Sequence, residues 1–232
     1  TGDTVMDWME QERERGITIT AAATTCFWTP TYLNDAERAN RKEHEHRINL
    51  IDTPGHIDFT VEVKRSLRVL DGAVVVFDGV AGVEPQSETN WRYADEFRVP
   101  RICFINKLDR MGASFSESLK SIQERLNPNA IPIQLPIGAE GGFEGLIDLL
   151  RMKAFFFEGE KGEHIIEREI SPNLLDEAKK YRHDLIEKIV EQDDKLLHDY
   201  LEGKEPDLAS LKRVLRKATN EVKIIQVLNP SR

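Results

Sequence analysis

Apolar residues in this chain come in short blocks separated by charged, helix-capable stretches. Residues 73–77 (AVVVF) are wholly apolar, and 101–105 (RICFI) nearly so. Blocks of this length bounded by turn residues predict buried strands, and 73–77 has the continuous character of a central parallel strand. Residues 17–28 are rich in Thr and Ile and predict another strand. The run 48–51 predicts a buried strand over 47–52. Helices are expected over 4–15, from about 60 to 70, over 85–97, where Pro85 suits the first helical position, and over 114–126, where Ser114 and Ser116 are candidate caps. Alternating strands and helices imply an open α/β sheet. From 132 onward the pattern shifts to short strands around 131–136, 152–157 and 163–169, the last two joined by a Gly-rich hairpin loop. Helices over about 172–202 and 207–218 follow. The first, started by Ser171-Pro172, keeps an apolar stripe through Leu175, Ala178, Tyr181, Leu185, Ile189 and Leu197, which argues for core packing. Its acidic face reads as solvated.

Composition narrows the class. The chain has 232 residues, 40% hydrophobic and 31% charged, enough for one good core and a subdomain. No apolar run approaches membrane-spanning length and nothing resembles a signal peptide. Cys26 and Cys103 fall in expected buried strands, so they read as core thiols, which fits a reducing compartment. A net charge of −9 argues against a free-standing nucleic-acid binder. Residues 29–46 are polar and join two strands, as a long hairpin loop or local insertion would. The alternation Glu43-His44-Glu45-His46 reads as solvated loop, because alternation spreads the pairs and no matching ligands lie near.

The strand ends hold the chemistry. Asp52-Thr53-Pro54-Gly55-His56 follows one strand; Asn106-Lys107-Leu108-Asp109 follows another. D-x-x-G and N-K-x-D are the metal-side and base-side elements of a guanine-nucleotide switch, and strand C-termini are where open α/β sheets bind ligands. Singly, each could be an ordinary strand-end turn. Together and in this order they are hard to explain that way. Asp52 can hold Mg²⁺ through water. Gly55 lets its N–H approach a γ-phosphate, and Pro54 stiffens the turn. His56 can orient water for in-line attack. The Asp109 carboxylate can accept from guanine N1–H and the exocyclic amine, a donor pair adenine lacks. Asn106 can tie neighbouring loops, and the Lys107 stem can cover the base. Thr18 could complete a Mg²⁺ shell from a switch loop; taken alone, a Thr-rich strand accounts for it better.

Residues 6–19 (MDWMEQERERGITI) resemble the switch I segment of the elongation factor G family of translational GTPases. DTPGHIDF at 52–59, VKRSLRVLDG at 63–72 and GVEPQSET at 82–89 resemble that family in the same order. QLPIG at 134–138 and GLIDL at 145–149 are similar to its insertion within the GTPase domain, which separates it from elongation factor Tu, initiation factor 2 and the LepA-type factors. Release factor 3 and ribosomal protection proteins share the switches but match the insertion and switch I less well.

The resemblance implies a P-loop-type α/β GTPase domain with an α+β insertion: a partial GTPase domain over 1–130, the insertion over 131–221, and the last strand and tail over 222–232. It implies GTP and Mg²⁺ as cofactors. Asp52, Thr53, Pro54, Gly55, His56, Asn106, Lys107 and Asp109 would contact nucleotide, Thr18 and Asp52 the metal, and His56 would be catalytic. It implies GTP hydrolysis driving tRNA and mRNA translocation. The partners would be the ribosome, with both subunits, its RNA and stalk proteins, and the factor would be a monomer in the bacterial cytoplasm or, alternatively, the mitochondrial matrix. One departure stands out. The family's G-x-x-x-x-G-K-[ST] phosphate loop does not occur here, and 229–232 stand where a Gly-Ser-Ala loop is expected. The expectation is a fragment of a larger protein that alone binds GTP very weakly. A non-catalytic relic that keeps protein-binding surfaces is the alternative.

Overall fold

The computed structural model describes residues 21–30, 41–53, 60–159 and 164–229. The chain divides into two compact units, residues 1–70 and 71–232.

In the first unit, β1 (Ala22–Trp28) and β2 (His46–Asp52) form an antiparallel hairpin in which Ala22 pairs with Asp52 and Trp28 with His46. A 3-10 turn over Arg41–His44 leads into β2. The pairing bears out a hairpin across 29–46. Burial does not follow expectation: Ile48 and Leu50 are exposed, and so is Cys26. A two-stranded ribbon has no second layer of its own to cover either face, so an apolar run there is not a buried strand. Helix α1 (Thr60–Leu67) follows, with Val63 and Leu67 buried.

The second unit is built on a four-stranded parallel sheet of β3 (Ala73–Asp78), β4 (Arg101–Asn106), β5 (Ala130–Pro132) and β10 (Ile225–Leu228), in the order β3-β4-β10-β5. Helices α2 (Pro85–Glu96) and α3 (Phe115–Arg125) connect its strands. Pro85 does open α2, and the Ser114 hydroxyl accepts the Glu117 N–H, closing the first turn of α3. The core joins Phe77, Trp91, Cys103, Ile105, Ile122 and Val227, all nearly inaccessible; each such side chain contributes about 1.5–3 kcal/mol on burial. β3 is not central among the described strands. It lies at the sheet edge, with Val74 59% and Val76 60% exposed. Arg101, at the start of β4, is fully buried. It donates to the Trp91 carbonyl at 3.1 Å, pairs with Asp95 and lies 4.4 Å from the centre of the Trp91 ring, stapling the end of α2 to the strand.

Between β5 and β10 runs a segment with its own antiparallel sheet, β6 (Gln134–Ile137), β7 (Gly145–Asp148), β8 (Lys153–Glu158) and β9 (His164–Arg168), paired in sequence order. The expected strand 131–136 is thus two strands in different sheets, parted at Ile133, whose N–H goes to Val227. Gly145 lets β7 pass close to β8: a Cβ there would lie 2.2 Å from the Phe155 carbonyl oxygen. Helices α4 (Pro172–Val190), α5 (Asp194–Leu201) and α6 (Leu208–Asn220) pack on it. The expected single helix over 172–202 is broken, because the Asp193 carboxylate accepts the Leu196 N–H and caps a new helix. Its apolar stripe does face a core, with Ala178, Leu185 and Ile189 buried beside Leu149, Leu211 and Ile224. Among the described residues no helix is long and apolar enough to cross a membrane.

Candidate functional site

β4 alternates in burial, with Arg101, Cys103 and Ile105 inward. Pairing with β3 on one side and β10 on the other fixes its register. The strand therefore delivers Asn106 to the C-terminal edge of the sheet, level with Asp78 of β3. There the chain must turn sharply. The Asn106 side-chain oxygen accepts the N–H of Lys107 at 2.8 Å, and Lys107 takes a left-handed conformation with φ 61°, the kind of local side-chain bond that makes Asn a turn residue. Two further turns follow, from the Arg110 N–H to the Lys107 carbonyl and from the Ala113 N–H to the Arg110 carbonyl. Leu108 is buried beneath them while Asp109 stays exposed. Among the described residues the Asp109 carboxylate has no hydrogen-bond partner. It is left available as an acceptor for a ligand.

Asp78 braces this turn from the neighbouring strand. One carboxylate oxygen accepts the N–H groups of Val80 at 2.9 Å and Ala81 at 3.4 Å; the other takes Lys107 Nζ at 2.8 Å, with Arg110 at 3.9 Å. The Lys107 bond and the Val80 N–H outweigh partial desolvation and hold the Asp78 carboxyl below the usual carboxylate range. Gly79 completes the brace. Its N–H goes to the Asn106 carbonyl at 2.8 Å and its own carbonyl accepts the Ser114 N–H. A Cβ there would meet the Asn106 carbonyl oxygen and Leu108 at 3.0 Å. Asp78 was not among the expected site residues. A signal existed: it closes an apolar strand at the same edge as Asn106 and is followed by Gly.

The metal-side residues divide differently. Asp52 is the last residue of β2 and is exposed, with Thr53 just beyond. Thr18, Pro54, Gly55 and His56 lie outside the described residues. Among the described residues no group of three or more His, Cys, Asp or Glu is placed to hold a metal. That is compatible with Mg²⁺, which is commonly held by one or two carboxylates together with phosphate and water. Asp52 supplies one such carboxylate at the exposed end of β2.

A parallel sheet with an N-K-x-D turn at its C-terminal edge defines the nucleotide-binding class of α/β domains. The chain belongs to the elongation factor Tu GTP binding domain family, whose model matches residues 1–229. It is 53% identical over 227 residues to Elongation factor G 1 of Bdellovibrio bacteriovorus, covering 97% of this chain and 30% of that protein. It also superposes on a crystal structure of a Thermus thermophilus protein, with a TM-score of 0.82 at 28% identity, covering 99% of this chain and 32% of that one. The chain therefore spans about a third of the length of these relatives.

Proposed function

We propose that the protein to which this chain belongs is a translational GTPase of the elongation factor G type. It binds GTP with Mg²⁺ and hydrolyses it on the ribosome, coupling hydrolysis to movement of tRNA and mRNA. The observation that supports this most is the turn after β4, which leaves the Asp109 carboxylate without a hydrogen-bond partner among the described residues, close to a braced Lys107; the 53% identity to an elongation factor G adds to it. In this reading 131–221 form an inserted subdomain of the GTPase domain. The ribosome, through both subunits, its RNA and stalk proteins, is the partner of a monomeric cytoplasmic factor.

The roles follow from side-chain chemistry. Asp109 accepts from guanine N1–H and the 2-amino group, while the Lys107 stem lies against the base. Asp52, with Thr18, holds Mg²⁺, which when bound neutralises phosphate charge. Thr53, Pro54 and Gly55 line the γ-phosphate side, and His56 orients the attacking water. Replacing Asp109 with Asn exchanges an acceptor for an amide donor, which suits xanthine, whose C2 bears an oxygen. Competition between GTP and xanthosine triphosphate for D109N in the full-length gene product tests this. Preference should shift toward xanthosine triphosphate, and unchanged discrimination would remove Asp109 as the reader of the base.

A further inference from the structure

We propose that Glu140 is a positioning residue for guanine recognition. It clamps the loop that carries Asp109 and joins that loop to the segment inserted between β5 and β10. The proposal rests on the reading of Asp109 as the base-reading carboxylate.

The loop over 106–113 is anchored at both ends through Gly79, which bonds to the Asn106 carbonyl and the Ser114 N–H. Its middle is held from across the junction by one residue. The backbone N–H of Glu140 donates to the Leu108 carbonyl at 2.9 Å, and its side-chain Oε1 accepts the Gly112 N–H at 2.8 Å. These two points lie on either side of Asp109. Glu140 thus spans the stretch whose placement decides where the Asp109 oxygens sit. A carboxylate accepting a backbone N–H makes a charge-assisted bond, stronger than a neutral one.

The turn presenting Glu140 is itself shaped for the purpose. Glu140 has φ 52°, in the left-handed region that non-glycine residues rarely adopt. Gly138 has φ 83°, and a Cβ there would stand 1.9 Å from the Gly142 carbonyl oxygen. Such conformations persist where the surroundings over-determine them. Here the fixing contacts are the Gly142 N–H to the Ala139 carbonyl, the Phe143 N–H to the Glu140 carbonyl and the Glu144 N–H to the Ile137 carbonyl. Phe143 then buries in the same core as Leu108 and Cys103. The turn springs directly from β6 and returns into β7, so a displacement of that antiparallel sheet would be transmitted to the Asp109 loop through the two Glu140 bonds, with Phe143 packing in the same core as Leu108.

A purely structural contact and a positioning contact predict different selectivity. Inosine diphosphate lacks the 2-amino group of guanine, so a displaced Asp109 loses its advantage for GDP over inosine diphosphate first. In the full-length protein, E140A should raise the GDP dissociation rate about tenfold, the scale of one bond to a charged acceptor. It should raise that of inosine diphosphate much less, so that the ratio of the inosine diphosphate rate to the GDP rate falls several-fold. E140Q keeps an acceptor for the Gly112 N–H and should restore most of the ratio. E140D, which keeps the charge but shortens the reach, should behave like E140A and provides a second reading if the Ala variant folds poorly. A wild-type ratio well above one that is unchanged in E140A and E140D overturns the clamp alone. A wild-type ratio near one overturns the base-reading assignment and the clamp with it.

Discussion

Asp78 offers the sharpest separation of local stability from ligand ordering. Its carboxylate does two jobs: one oxygen closes the turn to Val80 and Ala81, and the other holds Lys107. The Lys107 ion pair is 2.8 Å long, with side chains 24% exposed at Asp78 and 43% at Lys107, so solvent screening limits it to about 0.5–1 kcal/mol. The shorter N–H bond adds about 1 kcal/mol and the longer one less. D78A loses all three and should cost about 2 kcal/mol, lowering Tm by about 4–8 °C for a domain of this size. D78N keeps an oxygen for the two N–H groups and loses only the ion pair, so Tm should fall by about 1–4 °C. Because the folded-state pKa of Asp78 is lowered, its charge stabilises the fold above the ordinary carboxylate range. The gap between wild type and D78N should therefore be full above about pH 5 and close as the pH falls through the folded value. Nucleotide binding should respond more than stability does. A Lys107 released from Asp78 must be ordered by the base itself, at about 1–2 kcal/mol of side-chain entropy. D78N in the full-length protein should then bind GDP about five- to thirtyfold more weakly, with the guanine-to-xanthine preference intact, as read by fluorescent-nucleotide titration beside calorimetric melting. Wild-type affinity in D78N would refute the idea that the pair pre-orders Lys107.

Two further outcomes are expected. H56A in the full-length protein should slow ribosome-stimulated GTP hydrolysis by about two orders of magnitude while leaving GTP affinity nearly unchanged; single-turnover kinetics that match wild type would exclude His56 as the water-positioning residue. Thiol labelling of the native chain near pH 8 should modify Cys26, which is exposed, and spare Cys103, whose burial pushes its pKa up to about 12; rapid modification of both before denaturant is added would contradict the placement of β4 in the core.

The parallel sheet was legible where sequence signals were redundant. The blocks 73–77 and 101–105, Pro85 and Ser114 each announced an element, and each is found. Asn106, Lys107 and Asp109 fall together in one turn because N-K-x-D is contiguous in sequence. Legibility failed where the deciding partner lies far along the chain. Apolar composition could not distinguish a central strand from an edge one, since β3 and β4 read alike yet Val76 is exposed while Phe104, paired with it on the same face, is half-buried. Cys26 is exposed for a different reason, since its two-stranded ribbon has no second layer of its own. The break between α4 and α5 turned on one capping carboxylate, Asp193, within a stretch whose periodicity otherwise continued. β7 is four residues long, too short for alternation to register. Asp78 and Glu140 act on the turn from a neighbouring strand and from the segment between β5 and β10, contacts that no spacing rule anticipates.

The place of β10 has a consequence for how the protein is made. Gln226 pairs with Ile102, so the strand that positions Asn106 acquires its second neighbour only after the whole segment between β5 and β10 has been synthesised. At ordinary rates of translation that delay is on the order of ten seconds. During it β4 is flanked by β3 alone, and β5, which pairs with β10 through Ile225 and Ala130, has no place in the sheet. The nascent chain emerging from the ribosome can thus brace the turn after β4 from Asp78 and Gly79, while the strand leading into it stays open on one side until β10 arrives. Pairings this distant slow folding and keep an open edge exposed to other chains until β10 is in place.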